Sequence, residues 1–319
     1  VRGRRLLGKG LALIRRVARV RRPVILMYHR IATPMHDPWQ IAVSPATFER
    51  QVEMLKQERE LVPLSWLIDR LERGLPAGGT AAVTFDDGYV DVLNNGRPVL
   101  EKHGCPATMF LCPGLIGDPA AFWWDTVTRI FLETPDLPER LELPGPGRRL
   151  SWTVPTSGRE AVHLDVWATL RTAEAPVRRD MLDRLLDWAG IPAEAPAAER
   201  CMTEAQCTRF LEPGFIDAGA HTMTHPSLPT LSDADKVAEI EGSVRGASAL
   251  FGRPVTTFAY PYGDADAATV RVAGRFVRAG ACTTHPSSVG RGMDRLRLPR
   301  IQAVEEPAEA LARRLASHG

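Results

Sequence analysis

Ala81-Ala82-Val83-Thr84-Phe85-Asp86-Asp87-Gly88-Tyr89 is a short apolar run that stops abruptly at two adjacent carboxylates and a glycine. Such a run bounded by a turn signal predicts a buried strand. Side chains alternate across a strand, so Asp86 and Asp87 are expected to leave it in different directions. Two acids separated in this way can hold two jobs, one gripping a metal and one handling a proton. Gly88 supplies a positive φ or a close backbone approach. Taken alone, the same residues also fit an ordinary Asp-Asp-Gly turn between strand and helix.

Working outward, Tyr89 to His103 predicts a helix closed by Gly104, and Ala107–Leu111 predicts a second buried strand. Strand, helix and strand at this spacing make a βαβ unit, which implies a parallel sheet with a right-handed crossover. Upstream, Pro23 to Arg30 is an apolar strand that runs straight into Tyr28-His29. Strand C-termini in parallel α/β proteins face the active-site rim, so His29 is a candidate proton donor or metal ligand. Its plain alternative is a histidine bonded at a strand end for structure alone. The α/β alternation returns after Gly214, with strands at Gly214–Ala220, Val255–Tyr260, Ala281–Thr284 and Arg297–Ile301.

Between about 120 and 200 the alternation lapses. Helical stretches there, with a Pro-Gly turn at 144–147, predict a mainly helical insertion packed over one rim. The apolar content is too thin for a second core. Trp123 and Trp124 are either core residues at a helix start or a surface for a sugar ring. The domain reading is therefore a basic segment over 1–22 followed by one domain over 23–319 that carries the insertion.

Composition bounds the function. The chain has 319 residues, 44% hydrophobic and 24% charged, which suffices for a large core. A net charge of +2 argues against nucleic acid as a partner. Five cysteines without Cys-x-x-Cys spacing argue against a disulfide framework or zinc knuckle. Arg2, Arg4, Arg5, Lys9, Arg15, Arg16, Arg19, Arg21 and Arg22 crowd the start with no acid among them. Leu6 to Val20 has the pattern of a basic amphipathic segment able to lie on an anionic membrane surface, or of a loose basic tail. No signal peptide or membrane-spanning stretch is visible, so a cytoplasmic or membrane-peripheral location is the expectation.

His221-Thr222-Met223-Thr224-His225-Pro226 places two imidazoles four apart just after a strand. Pro226 disfavours the α conformation at His225, so the pair belongs on a tight loop. Two histidines and one aspartate make a three-ligand set with room for water, the composition of a catalytic metal site.

Thr84-Phe85-Asp86-Asp87-Gly88, His221-Thr222-Met223-Thr224-His225 and Phe258-Ala259-Tyr260-Pro261-Tyr262-Gly263 together resemble the first three motifs of the polysaccharide deacetylase family. That family is also called the NodB-homology domain or carbohydrate esterase family 4. The resemblance runs from about Val24 to Ile301, interrupted by the insertion. It implies a distorted (β/α) barrel, commonly of seven strands. It also implies Asp87, His221 and His225 as metal ligands and Asp86 as catalytic base. Chemically these residues suit hydrolysis of an acetamide, which needs an activated water, a stabilised oxyanion and a proton for the departing amine. The main-chain N–H of Tyr262 is the candidate oxyanion donor. Zinc is the expected ion, with cobalt, nickel or manganese as substitutes.

Two positions depart from the pattern. The family's third motif usually has an arginine two residues before its Pro-Tyr, where this chain has Ala259; Arg300 and Arg291 are candidates to orient Asp86 instead. The usual late Leu-x-His is also missing, since Leu296-Arg297-Leu298 runs into Pro299. Met27-Tyr28-His29 resembles the early histidine motif of permuted poly-N-acetylglucosamine deacetylase-like members, which makes His29 the expected general acid and His285 the runner-up. The expected activity is removal of N-acetyl groups from N-acetylglucosamine units of a glycan or lipid-linked sugar. Alternatives are an O-acetyl esterase, a non-sugar amidohydrolase, or a catalytically silent glycan-binding protein.

Overall fold

The structure, a computed structural model, describes residues 21–318 apart from 121, 146, 147 and 213. The amphipathic stretch Leu6 to Val20 and the rest of the basic segment up to residue 20 lie outside the described residues. Among the described residues no helix is long and apolar enough to cross a membrane.

In chain order the strands are β1 (Val24–Tyr28), β2 (Arg30–Ile31), β3 (Ala42–Val43), β4 (Glu60–Leu61), β5 (Thr80–Phe85), β6 (Ala107–Leu111), β7 (Arg140–Gly145), β8 (Arg148–Thr153), β9 (Ile216–Ala220), β10 (Thr257–Ala259), β11 (Gly280–Cys282) and β12 (Ile301–Gln302). Seven of them run in the order β11-β10-β9-β6-β5-β1-β12, every neighbouring pair parallel, with β4 flanking the start of β5. The two ends of that path approach each other. Leu298 bridges Cys282 of β11, and three residues later Ile301 pairs with Leu26 of β1. The sheet thus curls into the distorted seven-stranded barrel expected from the sequence.

Alternation along the strands sorts the core. Val24, Leu26, Val83, Phe85, Met109 and Leu111 join one cluster with the surrounding helices. Ile25, Ala82, Phe110, Ala259, Cys282 and Leu298 form a second, inside the curl, with Leu64, Leu67 and Ile68 of the helix Leu64–Glu72 beneath it. Each large apolar side chain buried here contributes roughly 2–3 kcal/mol. Phe110 needs the space that Gly219 leaves, because a Cβ on Gly219 would sit 2.2 Å from the Phe110 ring.

Local signals behave as their chemistry requires. Ser44 caps the helix Pro45–Glu58 through the Thr47 N–H, and Thr203 with Gln206 closes a capping box on Glu204–Leu211. The helix after the Asp-Asp strand widens to a π turn over Val92–Gly96 before Arg97–His103. Pro98 has no N–H to continue the α ladder there. In the 120–200 stretch lie the helix Trp123–Thr128, a π turn over Arg129–Glu133, the antiparallel β7–β8 hairpin, and the helices Glu160–Thr172 and Ala175–Ala189. Their apolar residues, including Val127, Phe131, Leu143, Val166 and Leu185, share one continuous cluster with β1 and β5.

Candidate active site

Strand register brings the site together. Tyr28 of β1 pairs with Phe85 of β5, so His29 and Asp86 leave adjacent strands at the same level. Leu111 of β6 pairs with Ala220 of β9, and the His221 N–H donates to the Leu111 carbonyl at 2.9 Å. Phe258 of β10 pairs with the same Ala220, which delivers Tyr262 to the same rim.

The backbone is held in unusual shapes at this rim. Asp87, Thr222, His225 and Tyr262 have φ of +71°, +65°, +55° and +58°. Non-glycine residues in the left-handed region carry strain of about 1 kcal/mol or more, and such residues cluster at functional sites. The histidine loop is pinned from outside by Glu239 of the helix Asp233–Phe251. Its carboxylate accepts from the Met223 N–H (2.7 Å), the Thr224 N–H (3.0 Å) and the Thr224 hydroxyl (2.7 Å).

Asp87 Oδ1 stands 3.5 Å from His221 Nε2 and 3.4 Å from His225 Nε2, all three residues buried. His221 Nδ1 donates to the Ala259 carbonyl at 2.7 Å, so its Nε2 presents a lone pair toward Asp87. A lone pair facing a carboxylate is repulsive unless a cation lies between them. Asp87 Oδ1 and His225 Nδ1 are buried without a hydrogen-bond partner. Donors about 2.1 Å from a tetrahedral ion would lie roughly 3.4 Å apart. The donor set and its spacing fit a divalent cation. Burial pushes the His225 imidazole down to about 3, which keeps it neutral and able to ligate. For His221, burial also resists protonation, but Asp87 and Asp86 outweigh it and draw its pKa upward.

Asp86 has a different partner. Arg300 donates Nη1 to Oδ1 and Nη2 to Oδ2, both at 2.7 Å, and is itself fully buried. Burial resists the Asp86 charge, but the Arg300 guanidinium, with His221 and His29 nearby, holds the carboxyl well below the usual range. Arg300 thus occupies the orienting place left open by Ala259. Arg291, the other candidate, lies against Gly74 in a separate cleft. His29 Nε2 sits 3.9 Å from Asp86 Oδ2, and its Nδ1 is buried without a partner. His285 is exposed and does not line this cleft.

The cleft has a volume of about 280 Å³ and includes His29, Asp86, Asp87, His221, His225 and Tyr262 in its lining. Its remaining wall contains residues that sequence reasoning passed over. Trp39 and Trp167 face each other at 4.3 Å between ring centroids. Arg171 lies over the Tyr262 ring at 4.6 Å and pairs with Asp264 at 2.6 Å. None of these sits in a motif; only the fold brings the Trp39 loop to the helix Glu160–Thr172. Trp124 is buried in the core yet also lines the cleft, 4.6 Å from the His225 ring, and its Nε1 donates to the Tyr89 hydroxyl. Trp123 faces a different cavity.

Comparison with known proteins bears on the family and the fold. The polysaccharide deacetylase family model matches residues 74–135 and 185–277. Over these two blocks the chain is similar to the polysaccharide deacetylase family. The curated Bacillus subtilis protein YxkH, named for the same family, is 32% identical over 95 residues. That match covers 29% of this chain and only a third of the relative's length (33%). Among solved structures, the Streptococcus pyogenes deacetylase PplD superposes with a TM-score of 0.60 at 18% identity, covering 92% of this chain and 98% of its own. IcaB from Ammonifex degensii gives 0.61 at 16% identity, covering 92% and 97%. These two show a shared fold. The family match spans Asp86, Asp87, His221, His225 and Tyr262, while His29, Trp39, Trp167, Arg171 and Arg300 fall outside it.

Proposed function

We propose that the chain is a metal-dependent hydrolase that removes N-acetyl groups from N-acetylglucosamine-type sugars of a polysaccharide or glycolipid. The observation that carries this reading is the unpartnered Asp87 oxygen set between two imidazole nitrogens, beside a second carboxylate that is held by its own arginine. Asp87, His221 and His225 would hold the ion, with zinc the expected occupant. When bound, a divalent ion polarises the acetyl carbonyl and lowers the pKa of water.

The chain's own residues supply the rest. Arg300 keeps Asp86 ionised and fixes the direction of its oxygens, so Asp86 takes the proton from the attacking water. His29, on the neighbouring strand, gives a proton to the departing amine. The Tyr262 main-chain N–H, set by that residue's positive φ, faces the developing oxyanion. Trp39 and Trp167 offer an indole wall for a pyranose ring, a role the sequence had suggested for Trp123 and Trp124. Arg300 also weakens the case for a silent glycan-binding protein, because the missing motif arginine has a working substitute.

The test is acetate release from N-acetylated oligosaccharides and lipid-linked sugars, alongside O-acetylated counterparts, with and without chelator. Chelator-sensitive release from the N-acetylated set is expected. No release from any of them, with zinc restored, would reject the proposal.

A further inference from the structure

The candidate catalytic residues leave the C-terminal ends of the barrel strands, and the opposite end has a character of its own. There β1 starts at Val24, β5 at Thr80 and β11 at Gly280, with the helix Leu64–Glu72 lying across the core. Six large apolar side chains are exposed among the described residues, and three of them stand at this end: Leu75 (42%), Met293 (41%) and Trp66 (36%). Leu75 and Met293 line one cleft of about 490 Å³. Trp66 is joined to them through Arg70, which lies over its ring at 4.8 Å and donates to the Pro76 carbonyl of that cleft at 2.6 Å.

Cations surround these apolar tips. A neighbouring cleft of about 310 Å³ shares Leu71, Gly74, Arg291 and Met293 with the first. Between them the two are lined by Arg22, Arg73, Arg291 and Arg295 against a single acid, Glu72. Glu72 is taken by Arg295 at 3.3 Å, and Arg73 is balanced by Asp69 at 2.9 Å. The chain enters the barrel at this same end, where the Arg21 carbonyl accepts from the Gly79 N–H at 2.6 Å. The twenty residues before Arg21 hold Arg2, Arg4, Arg5, Lys9, Arg15, Arg16 and Arg19 and no acid.

Exposed apolar side chains gathered in one place and rimmed by charge mark an interaction surface. An acidic polymer would answer the cations but not the apolar tips, whereas a bilayer with anionic headgroups answers both. We propose that this end of the barrel docks on an anionic membrane surface. Trp66, Leu75 and Met293 enter the headgroup layer, and the arginines, with the basic segment that precedes them, meet the lipid phosphates. The catalytic cleft then opens away from the lipid, at the other end of the strands. None of this depends on which bond that cleft hydrolyses.

Flotation of the full chain with phosphatidylcholine vesicles, alone or with about a third phosphatidylglycerol, tests the docking. Binding is expected only where phosphatidylglycerol is present, and it should weaken as salt rises. Leu75→Asp combined with Met293→Asp is expected to weaken it at least about tenfold, since two apolar contacts are lost and two acids are added. Quenching of tryptophan emission by bromine-labelled lipid needs no such change of charge. It is expected in the wild type and should be largely lost in Trp66→Phe. Quenching that survives in full in Trp66→Phe would put another face on the lipid and overturn the proposal. Full-strength binding by the double aspartate variant would also overturn it, leaving the basic segment as the sole anchor. Absence of binding, or equal binding to both kinds of vesicle, would reject the anionic membrane itself.

Discussion

Arg300 and Asp86 are 214 residues apart in sequence and meet in a two-pronged pair, both bonds 2.7 Å long, with the arginine fully buried. This geometry is the strong form of the interaction, because the planar guanidinium matches both carboxylate oxygens. Removing the cation leaves a buried carboxylate alone. Arg300→Met should therefore destabilise the fold by about 3–5 kcal/mol and let Asp86 take up a proton near neutral pH. Urea unfolding and acetate release measure the two effects. Arg300→Lys should keep more stability than Arg300→Met yet recover little activity, because a point charge does not orient two oxygens. An Arg300→Met protein of wild-type stability would show the pair to be worth far less than its geometry implies.

The two adjacent aspartates should fail in different ways. Asp86→Asn keeps the shape and the Arg300 contact in part, but cannot accept a proton. A drop of about 10²–10⁴-fold in acetate release is expected, with one equivalent of zinc retained. Asp87→Asn should lose the metal itself. Elemental analysis of both variants after dialysis separates them, and loss of zinc from Asp86→Asn would undo the division of labour.

What the sequence made legible follows the range of the physics involved. The strands at Val24, Thr80 and Ala107 are short runs buried on both faces, so their pattern is local and readable. Asp86-Asp87 and the paired histidines were readable because their spacing is itself the chemistry. Arg300 was visible only as one of two candidates, since a pair across 214 residues depends on the barrel closing through Leu298 and Ile301. Trp39, Trp167 and Glu239 left no signal. Each is an ordinary residue on its own element, and its contact with the site is made by packing between elements distant in sequence. The helix Leu64–Glu72 starts behind Pro63 without a side-chain cap. Proline's fixed φ is enough to start a turn there.

Glu239 holds the histidine loop through three hydrogen bonds, made to Met223 and Thr224 rather than to Asp87, His221 or His225. Glu239→Gln keeps the size but removes the charge, so the oxygen that accepts from both the Met223 and Thr224 N–H groups becomes a weaker, neutral acceptor and an amide nitrogen replaces the one facing the Thr224 hydroxyl. Supports of this kind typically change metal affinity 10–100-fold, and a loss of about that size is expected. Competition against a chromophoric chelator measures it. An unchanged zinc affinity would mean that the loop is rigid without Glu239.

His163, in the helix Glu160–Thr172, is 1% exposed, bonded through Nε2 to the Thr128 hydroxyl at 3.2 Å, with its ring 5.5 Å from Trp39. Burial pushes its pKa from the ordinary 6.5 down to about 4. The unfolded chain therefore binds a proton at His163 that the folded chain refuses. Its contribution is intact above pH 6.5 and is lost progressively as pH falls through the window down to about 4. The full swing is on the order of 3 kcal/mol, from the conversion of about 1.4 kcal/mol per pH unit. Buried carboxylates add their own slopes over part of this range, so the useful quantity is a difference between proteins. His163→Leu removes the titrating group and keeps an apolar side chain against Trp39. Its urea midpoint should fall less steeply than the wild type's between pH 6.5 and 4.5. Parallel curves over that interval would mean that His163 takes its proton without leaving the core.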